Sequence, residues 1–495
     1  MQIQVSFNGE INDEGCVIVE YTVYQNPLIE RYTSEKMLYT FSPDNKFRNW
    51  RKLWVALAET EKELGLNITD EQINELKAYQ ENINYDVAKE REKETRHDVM
   101  SHVYAYGVQC PTAKPIIHLG ATSAFVGDNT DIIVYREALQ LVLKKLVNLM
   151  GKLGEFAKEY KDVPTLGYTH YQPAQITTVG KRASLWLYEL YMDYEKLIFI
   201  LTQMKFRGVK GTTGTQASFL ALFDNNGEKV KDLDQKLSKR LGFKENFPVT
   251  GQTYSRKQDF DLLYVLSSIA QSMHKMTNDI RLLQHLKEVE EPFEKNQIGS
   301  SAMAYKRNPM RSERISSLAK FVMSALQNLS FISATQWFER TLDDSANRRI
   351  TIPETFMATD AILDIGINIA SGLVVNEKVI EENLKKELPF MATENIMMEA
   401  VKKGKDRQEL HERIRQHSLA ASHNIKKLGL ENNLLQLISE DAYFNLSKGE
   451  LLEIVDPKKY TGRSAEQVED FLKDHLEPIL KKHQDLLGAE VHLKV

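Results

Sequence analysis

Residues 297–314 read QIGSSAMAYKRNPMRSER and join a polar turn to the start of a long apolar helix pattern. Gly299, Ser300 and Ser301 favour turns, and the serine hydroxyls also compete for the backbone hydrogen bonds of a helix. Four basic residues follow within the same stretch: Lys306, Arg307, Arg311 and Arg314. The stretch therefore predicts a mobile, electropositive loop.

A helix is predicted from Pro309 onward, because proline is favoured in a first turn and Ser312 and Glu313 follow it. Apolar residues then recur at helical spacing: Ile315, Leu318, Val322, Ala325, Leu329 and Ile332. The basic residues thus cluster beside the free amides of a helix start, which predicts an anion site. The alternative is a solvated basic turn between two helices.

Other apolar stripes have the same helical character. Leucine-rich residues repeat at alternating steps of four and three in two long segments: Leu139, Leu143, Leu146, Met150, Leu153 and Ala157, and Leu187, Leu190, Tyr194, Leu197, Leu201 and Met204. Ala270, Met273, Thr277, Ile280 and Leu283 continue the theme, and a further helix is predicted after Ser42-Pro43-Asp44. The pattern predicts a bundle of long helices, with apolar faces wide enough for neighbouring subunits to share the core.

The two ends of the chain have β-like patterns. Residues 2–7 and 16–23 flank the polar turn NGEINDEG, which predicts a hairpin over 2–23, and the final AEVHLKV alternates apolar and polar residues. We expect the two ends to pair as a small accessory sheet.

Composition excludes several classes of protein. The chain has 495 residues, 42% hydrophobic and 27% charged, with a net charge of -5, which argues against a nucleic-acid binder. Its two cysteines, Cys16 and Cys110, make neither a disulfide framework nor a zinc ladder. We find no signal peptide and no stretch long and apolar enough to span a bilayer, so we expect no membrane partner and a cytoplasmic location.

Two histidines in TRHDVMSH, residues 95–102, invite a metal site. His97 and His102 are five residues apart, which on a helix separates them by about 140°, so they cannot hold one ion from one face. We therefore predict no metal and interpret His102 as a packed histidine.

The stretch GSSAMAYKRNPMRSE, residues 299–313, resembles the signature of the fumarase, aspartase and argininosuccinate lyase superfamily, and within it the adenylosuccinate lyase family. That signature reads Ser-Ser-x-Met-Pro-x-Lys-x-Asn with a following Glu. Ala304 stands where the family usually has proline. Without the proline the loop loses more conformational entropy when it becomes ordered, which costs about 0.4–1 kcal/mol.

The resemblance implies an all-α, three-domain fold, with an N-terminal domain at 1–122, a central long-helix bundle at 123–375 and a C-terminal domain at 376–495. It also implies homotetramers whose sites take residues from three subunits.

The resemblance further implies a lyase that removes fumarate from adenylosuccinate and from succinylaminoimidazole carboxamide ribotide (SAICAR), without a metal or organic cofactor. His170, which precedes Pro173 on a predicted loop, matches the family's proton donor, and Glu313 matches the carboxylate that orients it. Ser300 matches the base, while Lys306 would stabilise the charge that develops. Without the resemblance, a lone loop histidine is usually just solvated.

Substrate contacts implied by the family fall on twelve positions: Arg31, Tyr32, Arg96, His97, Asp98, Thr122, Ser123, Gln252, Arg314, Arg340, Ser345 and Arg349. His97 is expected near the phosphate or the transferred group, where it joins the catalytic set. From the residues alone, Thr122 and Ser123 could equally cap a helix starting near 129–131, and residues 337–349 could be a charged helix end with an Asp-Asp-Ser cap.

Two rival functions remain at this point. Another superfamily enzyme, such as an argininosuccinate lyase, would need no nucleotide phosphate site, so Arg340, Ser345 and Arg349 discriminate against it. A non-catalytic, crystallin-like scaffold would not need an intact Ser300, Lys306, His170 and Glu313.

Overall fold

The computed structural model describes residues 23–294 and 297–488, together with residues 491 and 493. Within these ranges the regular secondary structure is almost entirely helical, which confirms the all-α class. The predicted hairpin over 2–23 lies outside the described residues except for Val23, as does most of 489–495. The pairing of the two ends therefore stays a prediction.

The N-terminal part consists of short and medium helices. Their bounds are α1 Glu35–Thr40, α2 Pro43–Glu63, α3 Asp70–Ala78, α4 Tyr85–Thr95 and α5 Asp98–Gln109. A π-helical turn, Leu28–Tyr32, precedes them and a 3₁₀ turn, Lys114–Ile116, follows. Helix α2 begins as predicted, because the Ser42 hydroxyl accepts a hydrogen bond from the Asn45 amide at 3.2 Å.

The central part holds the long helices. Its elements are α6 Ser123–Glu159, β1 Pro164–Thr169, β2 Gln172–Thr178, α7 Val179–Gln203, α8 Ala217–Leu222, α9 Gly227–Arg240, α10 Lys257–His285, β3 Val289–Glu290, α11 Met310–Ala334, α12 Asp344–Ala370 and β4 Val374–Val375. Helices α6, α7, α10, α11 and α12 form the bundle: α10 packs on α7, α11 and α12, while α6 packs on α7 and α12. The predicted leucine stripe of α6 is buried along its whole length, which confirms the long-helix bundle.

Helix α7 also presents an apolar stripe to the outside. Leu185, Met192 and Phe199 stand seven residues apart with Tyr188 between them, and all four are 42–65% exposed. A sustained step of seven keeps these residues on one side of the helix. One face of α7 thus serves the core of the chain, and the other is an uncovered apolar surface.

Helix α11 is long and apolar enough to cross a membrane by length and composition, so the expectation that no stretch would pass that test is wrong. Its apolar window is 39% buried, and the helix packs on α10 and α12 inside the bundle. Core helices of globular proteins pass the same test.

The C-terminal part has seven helices within the described residues. Their bounds are α13 Glu377–Met391, α14 Thr393–Lys402, α15 Arg407–Leu428, α16 Leu434–Glu440, α17 Lys448–Ile454, α18 Ser464–Phe471 and α19 Glu477–Lys482. Single turns of other helix types lie at Pro457–Tyr460, Leu472–Leu476 and Gln484–Leu486. Helices α14 to α17 enclose a separate small core, whereas α18 and α19 return to pack on α6. The domain boundaries given above stay predictions.

Two small antiparallel sheets interrupt the bundle. Strands β1 and β2 form a hairpin in which Thr169 pairs with Gln172, and strands β3 and β4 pair over two residues each. The hairpin turn consists of His170 and Tyr171, with φ of 52° and 57°. The sequence placed His170 on a loop, but it lies at the tip of a β-hairpin, and its side chain is exposed.

A carboxyl group is buried inside the N-terminal part. Glu61 of α2 is fully buried, and within the described residues neither of its carboxyl oxygens has a hydrogen-bond partner. Burial raises the pKa of Glu61 to about 9, so it is a neutral acid at physiological pH.

Candidate active site

A cavity of about 650 Å³ opens where the beginnings of α2, α5, α6 and α12 meet. Eight of the predicted site residues line it: Arg96, His97, Asp98, Ser123, Gln252, Arg340, Ser345 and Arg349. They come from four separated parts of the chain. The cavity has the size of a site for a drug-sized ligand.

His97 stands at the N-cap position of α5 and has a defined tautomer. Its Nδ1 accepts a hydrogen bond from the Met100 amide at 3.3 Å, so the neutral ring carries its proton on Nε2. Nε2 lies 3.4 Å from the Ser123 hydroxyl. The ring thus presents an N–H to the cavity.

Helix α6 begins at Ser123, several residues before the expected start near 129–131. Thr122 occupies its N-cap position, yet the hydroxyl makes no capping bond and is buried with no hydrogen-bond partner among the described residues. A buried hydroxyl without a partner costs free energy, and Thr122, unlike Ser123, is not among the residues that line the cavity.

Gln252 is held through its backbone. Its amide donates to the Glu339 carbonyl at 2.9 Å, and its carbonyl accepts from Arg207 Nε at 2.8 Å. Arg207 is fully buried in the glycine-rich segment at 207–216, where it also donates to the Gly208 carbonyl at 3.0 Å. Through Arg207, this segment supports the part of the cavity wall that contains Gln252.

Arg340, Ser345 and Arg349 lie on or just before the first turns of α12. Arg340 is 3.6 Å from Asp344, and Arg349 is 3.8 Å from Asp98 across the cavity. Asp343 occupies the N-cap position but makes no side-chain capping bond, contrary to the capping alternative. The Asp343 side chain therefore leaves the backbone N–H groups at the start of α12 uncapped.

The cavity floor is a buried network of ion pairs. Arg256 contacts Asp128 at 3.2 Å and Asp344 at 2.7 Å. Arg348 contacts Asp131 at 3.0 Å and Asp259 at 2.7 Å. Burial alone would raise the pKa of Asp128, but the neighbouring Arg256 and Arg348 hold that pKa below its ordinary value. The floor is thus charged, and each of its two arginines is paired with two aspartates.

Arg31, Tyr32 and Arg314 form a second group that does not line this cavity. Arg314, near the start of α11, lies over the Tyr32 ring at 5.6 Å from the ring centroid, and Arg31, the residue before Tyr32, is exposed.

The signature loop forms a third group. Lys306 is exposed and Ser300 is half-buried, and the Ser300 hydroxyl accepts a hydrogen bond from the Met303 amide at 3.2 Å. The expected anion at the start of α11 is one of the chain's own groups: Glu291 accepts from the Arg311 and Ser312 amides, each at 2.9 Å. The prediction that the amides at this helix start are free to bind an external anion is therefore wrong.

His170 and Glu313 are not joined within one chain. Both side chains are exposed, and neither makes a hydrogen bond or ion pair among the described residues. The hairpin of His170 packs on α7, α13 and α18, whereas Glu313 lies on α11. The orienting pair stays a prediction.

Several residues at the cavity were not singled out from the sequence. The floor residues just described belong here, and so does Lys46 of α2, which lines the wall. Asp128 and Asp131 had a signal, since a spacing of three puts two carboxylates on one face of a helix. Among the described residues no cluster of three His, Cys, Asp or Glu could hold a metal ion.

Family comparison matches two parts of the chain. Residues 20–324 match the model described as "Lyase", and residues 389–471 match "Adenylosuccinate lyase C-terminus". The sequence is 52% identical to the adenylosuccinate lyase of Saccharomyces cerevisiae, over 95% of this chain and 98% of that one. It is 46% identical to the adenylosuccinate lyase of Schistosoma mansoni, over 96% and 100%.

Solved structures share the fold at low identity. The 3-carboxy-cis,cis-muconate lactonizing enzyme of Pseudomonas putida superposes with a TM-score of 0.77 at 22% identity, covering 93% of this chain and 100% of that one. A fumarate lyase of Mesorhizobium sp. BNC1 gives 0.76 at 21% identity, covering 91% and 99%.

Proposed function

We infer the function from one premise: this chain belongs to the adenylosuccinate lyase family. It eliminates fumarate from adenylosuccinate to give AMP, and from SAICAR to give the corresponding carboxamide ribotide, AICAR. The observation that carries this conclusion is the convergence of eight family-matching side chains on one cavity from four separated parts of the chain.

The cavity suits a highly anionic substrate. Adenylosuccinate carries two carboxylates and a phosphate, and the wall offers Arg96, Arg340 and Arg349 together with the Ser345 hydroxyl. We assign two hydroxyls as donors for a succinyl carboxylate: that of Ser123, which lines the cavity, and the unpartnered one of Thr122, its neighbour in the chain. Arg31, Tyr32 and Arg314 complete the substrate contacts from elsewhere in the assembly.

Elimination needs a base and an acid. Ser300, as its alkoxide, removes the proton from the carbon beside a carboxylate, and the C–H electrons form the new double bond. The C–N bond breaks toward nitrogen, which takes a proton from His170 oriented by Glu313. General acid help of this kind is worth about 10² to 10⁴ in rate. Lys306 stabilises the negative charge of the alkoxide and of the intermediate carboxylate.

The complete site is assembled from several copies of the chain, as a homotetramer. Two observations support this: Ser300, Lys306, His170 and Glu313 lie outside the cavity of their own chain, and the outer stripe of α7 is an uncovered apolar surface. A buried, free Cys110 agrees with a reducing, cytoplasmic location.

The reaction is tested by incubating the purified protein with adenylosuccinate and following the ultraviolet change as AMP forms. We expect conversion of adenylosuccinate and none of argininosuccinate, which lacks the nucleotide phosphate. Absence of AMP formation by folded protein would refute the proposed function.

Shared sites are tested by mixing two inactive variants, His170→Ala and Ser300→Ala. If the two residues reach one site from different chains, random reassembly leaves about a quarter of the sites with both natural residues, so activity returns. Mixed oligomers that stay inactive would show that each site takes both residues from one chain.

A further inference from the structure

We propose that Lys46 binds the 5′-phosphate of the nucleotide together with Arg349. This assignment rests on the proposed function, since it names a further substrate-binding residue for the same reaction. Lys46 is not among the site residues that the family resemblance implies.

Lys46 differs from most other cations of the cavity in having no acidic partner. Arg256 and Arg348 are neutralised by buried aspartates, and Arg340 and Arg349 have carboxylates within 4 Å. Among the described residues, the Lys46 ammonium makes neither an ion pair nor a hydrogen bond, and its close contacts are aromatic rings. A half-buried cation without a counter-ion suits an anionic ligand.

Aromatic rings hold the ammonium at the wall. Its Nζ lies 5.1 Å from the centroid of Phe47 and 4.8 Å from that of Trp50. Ring faces attract a cation but leave its charge and its N–H donors available. The lysine is therefore placed to donate to a ligand in the cavity.

The position beside Arg349 selects the phosphate among the anionic groups of the substrate. Burial lowers the pKa of Lys46, Arg349 lowers it further, and Asp98 and Asp131 offset part of this. Two cations that repel each other are stabilised by a dianion between them, and a phosphate monoester carries nearly two charges at neutral pH. Ser345 stands one helical turn before Arg349 and adds a hydroxyl donor on the same face of α12.

The experiment compares AMP with adenosine, which is the same ligand without its phosphate. Equilibrium binding of both is measured by calorimetry on the natural protein and on Lys46→Met, which keeps the aliphatic stem against the rings. We expect Lys46→Met to bind AMP about tenfold to hundredfold more weakly than the natural protein does, which corresponds to the loss of one charged hydrogen bond. Its affinity for adenosine should be unchanged. Lys46→Arg should recover part of the AMP affinity.

Lys52→Met is the matched control, because Lys52 is exposed on the same helix and does not line the cavity. It should bind both ligands normally. If Lys46→Met does not fold, Lys46→Gln takes its place.

Unchanged AMP affinity would overturn the proposal, and so would an equal loss for AMP and adenosine, which would place the lysine at the base. A natural protein that does not cleave adenylosuccinate refutes the proposed function. A failure of the Lys46 assignment alone leaves that cleavage intact.

Discussion

Replacing Glu61 by glutamine should stabilise the protein, and the gain should grow with pH. In the folded protein, burial raises the pKa of Glu61 to about 9, whereas an exposed glutamate has its ordinary value of 4.5. Between these values the folded protein keeps a proton that the unfolded chain releases. The free energy of unfolding of the natural protein therefore falls as pH rises, and it levels off above the folded pKa. Glutamine does not titrate, so the free energy of unfolding of Glu61→Gln does not fall with pH for this reason.

The size of the effect follows from the pKa difference. Each pH unit between the two values changes the free energy of unfolding by about 1.4 kcal/mol. The natural protein is thus destabilised relative to the variant by about 3 kcal/mol at pH 7 and by about 6 kcal/mol at pH 9. No partner in the described structure offsets this cost, because both carboxyl oxygens lack hydrogen bonds.

Thermal unfolding between about pH 6 and pH 9 measures the effect as a difference in Tm. Glu63→Gln is the matched control on the same helix. Hydrogen bonding to Lys236 and the nearby Arg240 hold the pKa of Glu63 below its ordinary value, so its loss should give no gain. If the Tm difference between Glu61→Gln and the natural protein stays constant with pH, the inference that Glu61 is a neutral acid without a partner is refuted.

Four further substitutions test the site. His170→Ala should lower kcat at least about a hundredfold with an unchanged Tm, because the turn side chain is exposed; near-normal turnover would exclude it as the acid. Ser300→Ala should bind substrate in calorimetry without turning it over, and a variant that binds nothing would make the serine a binding group. Thr122→Val should keep its stability, because the hydroxyl has no partner, but raise KM about tenfold; an unchanged KM would show that the hydroxyl meets no ligand. Arg348→Met should cost about 3–5 kcal/mol in urea unfolding, since it leaves the buried Asp259 unpaired, and a loss below about 1 kcal/mol would contradict that pairing.

The long helices could be predicted because their signal is local. The stripe from Leu139 to Ala157 repeats at helical spacing, and the structure buries it along the whole of α6. That Arg96 and Arg349 line one cavity could not be predicted this way. Their segments are far apart in the chain, so only family resemblance brought them into one prediction.

The start of α6 was expected too late because its first turns are poor in helix formers. Gly127, Asp128 and Asn129 favour turns when only local preference counts. In the structure, Asp128 accepts from the Tyr254 amide at 3.0 Å, and Asn129 donates to the Gly208 carbonyl at 3.1 Å. Tertiary hydrogen bonds thus override the local preference.

The start of α11 shows a similar limit. The sequence indicated an anion there, and an anion is present, but it is the carboxylate of Glu291, about twenty residues upstream. Charge pattern alone does not tell an internal carboxylate from a ligand. The distinction needs the β3 strand, which places Glu291 against the helix.

The hairpin turn at His170 and Tyr171 opposes stable folding to the catalytic role proposed for His170. A two-residue turn with positive φ at both positions is best made by asparagine and glycine, and other L-residues pay for it in backbone strain. A variant with Asn-Gly at these positions would have a more stable β1–β2 hairpin but would lack the imidazole. The turn sequence that best stabilises this hairpin therefore excludes the histidine that the proposed mechanism requires.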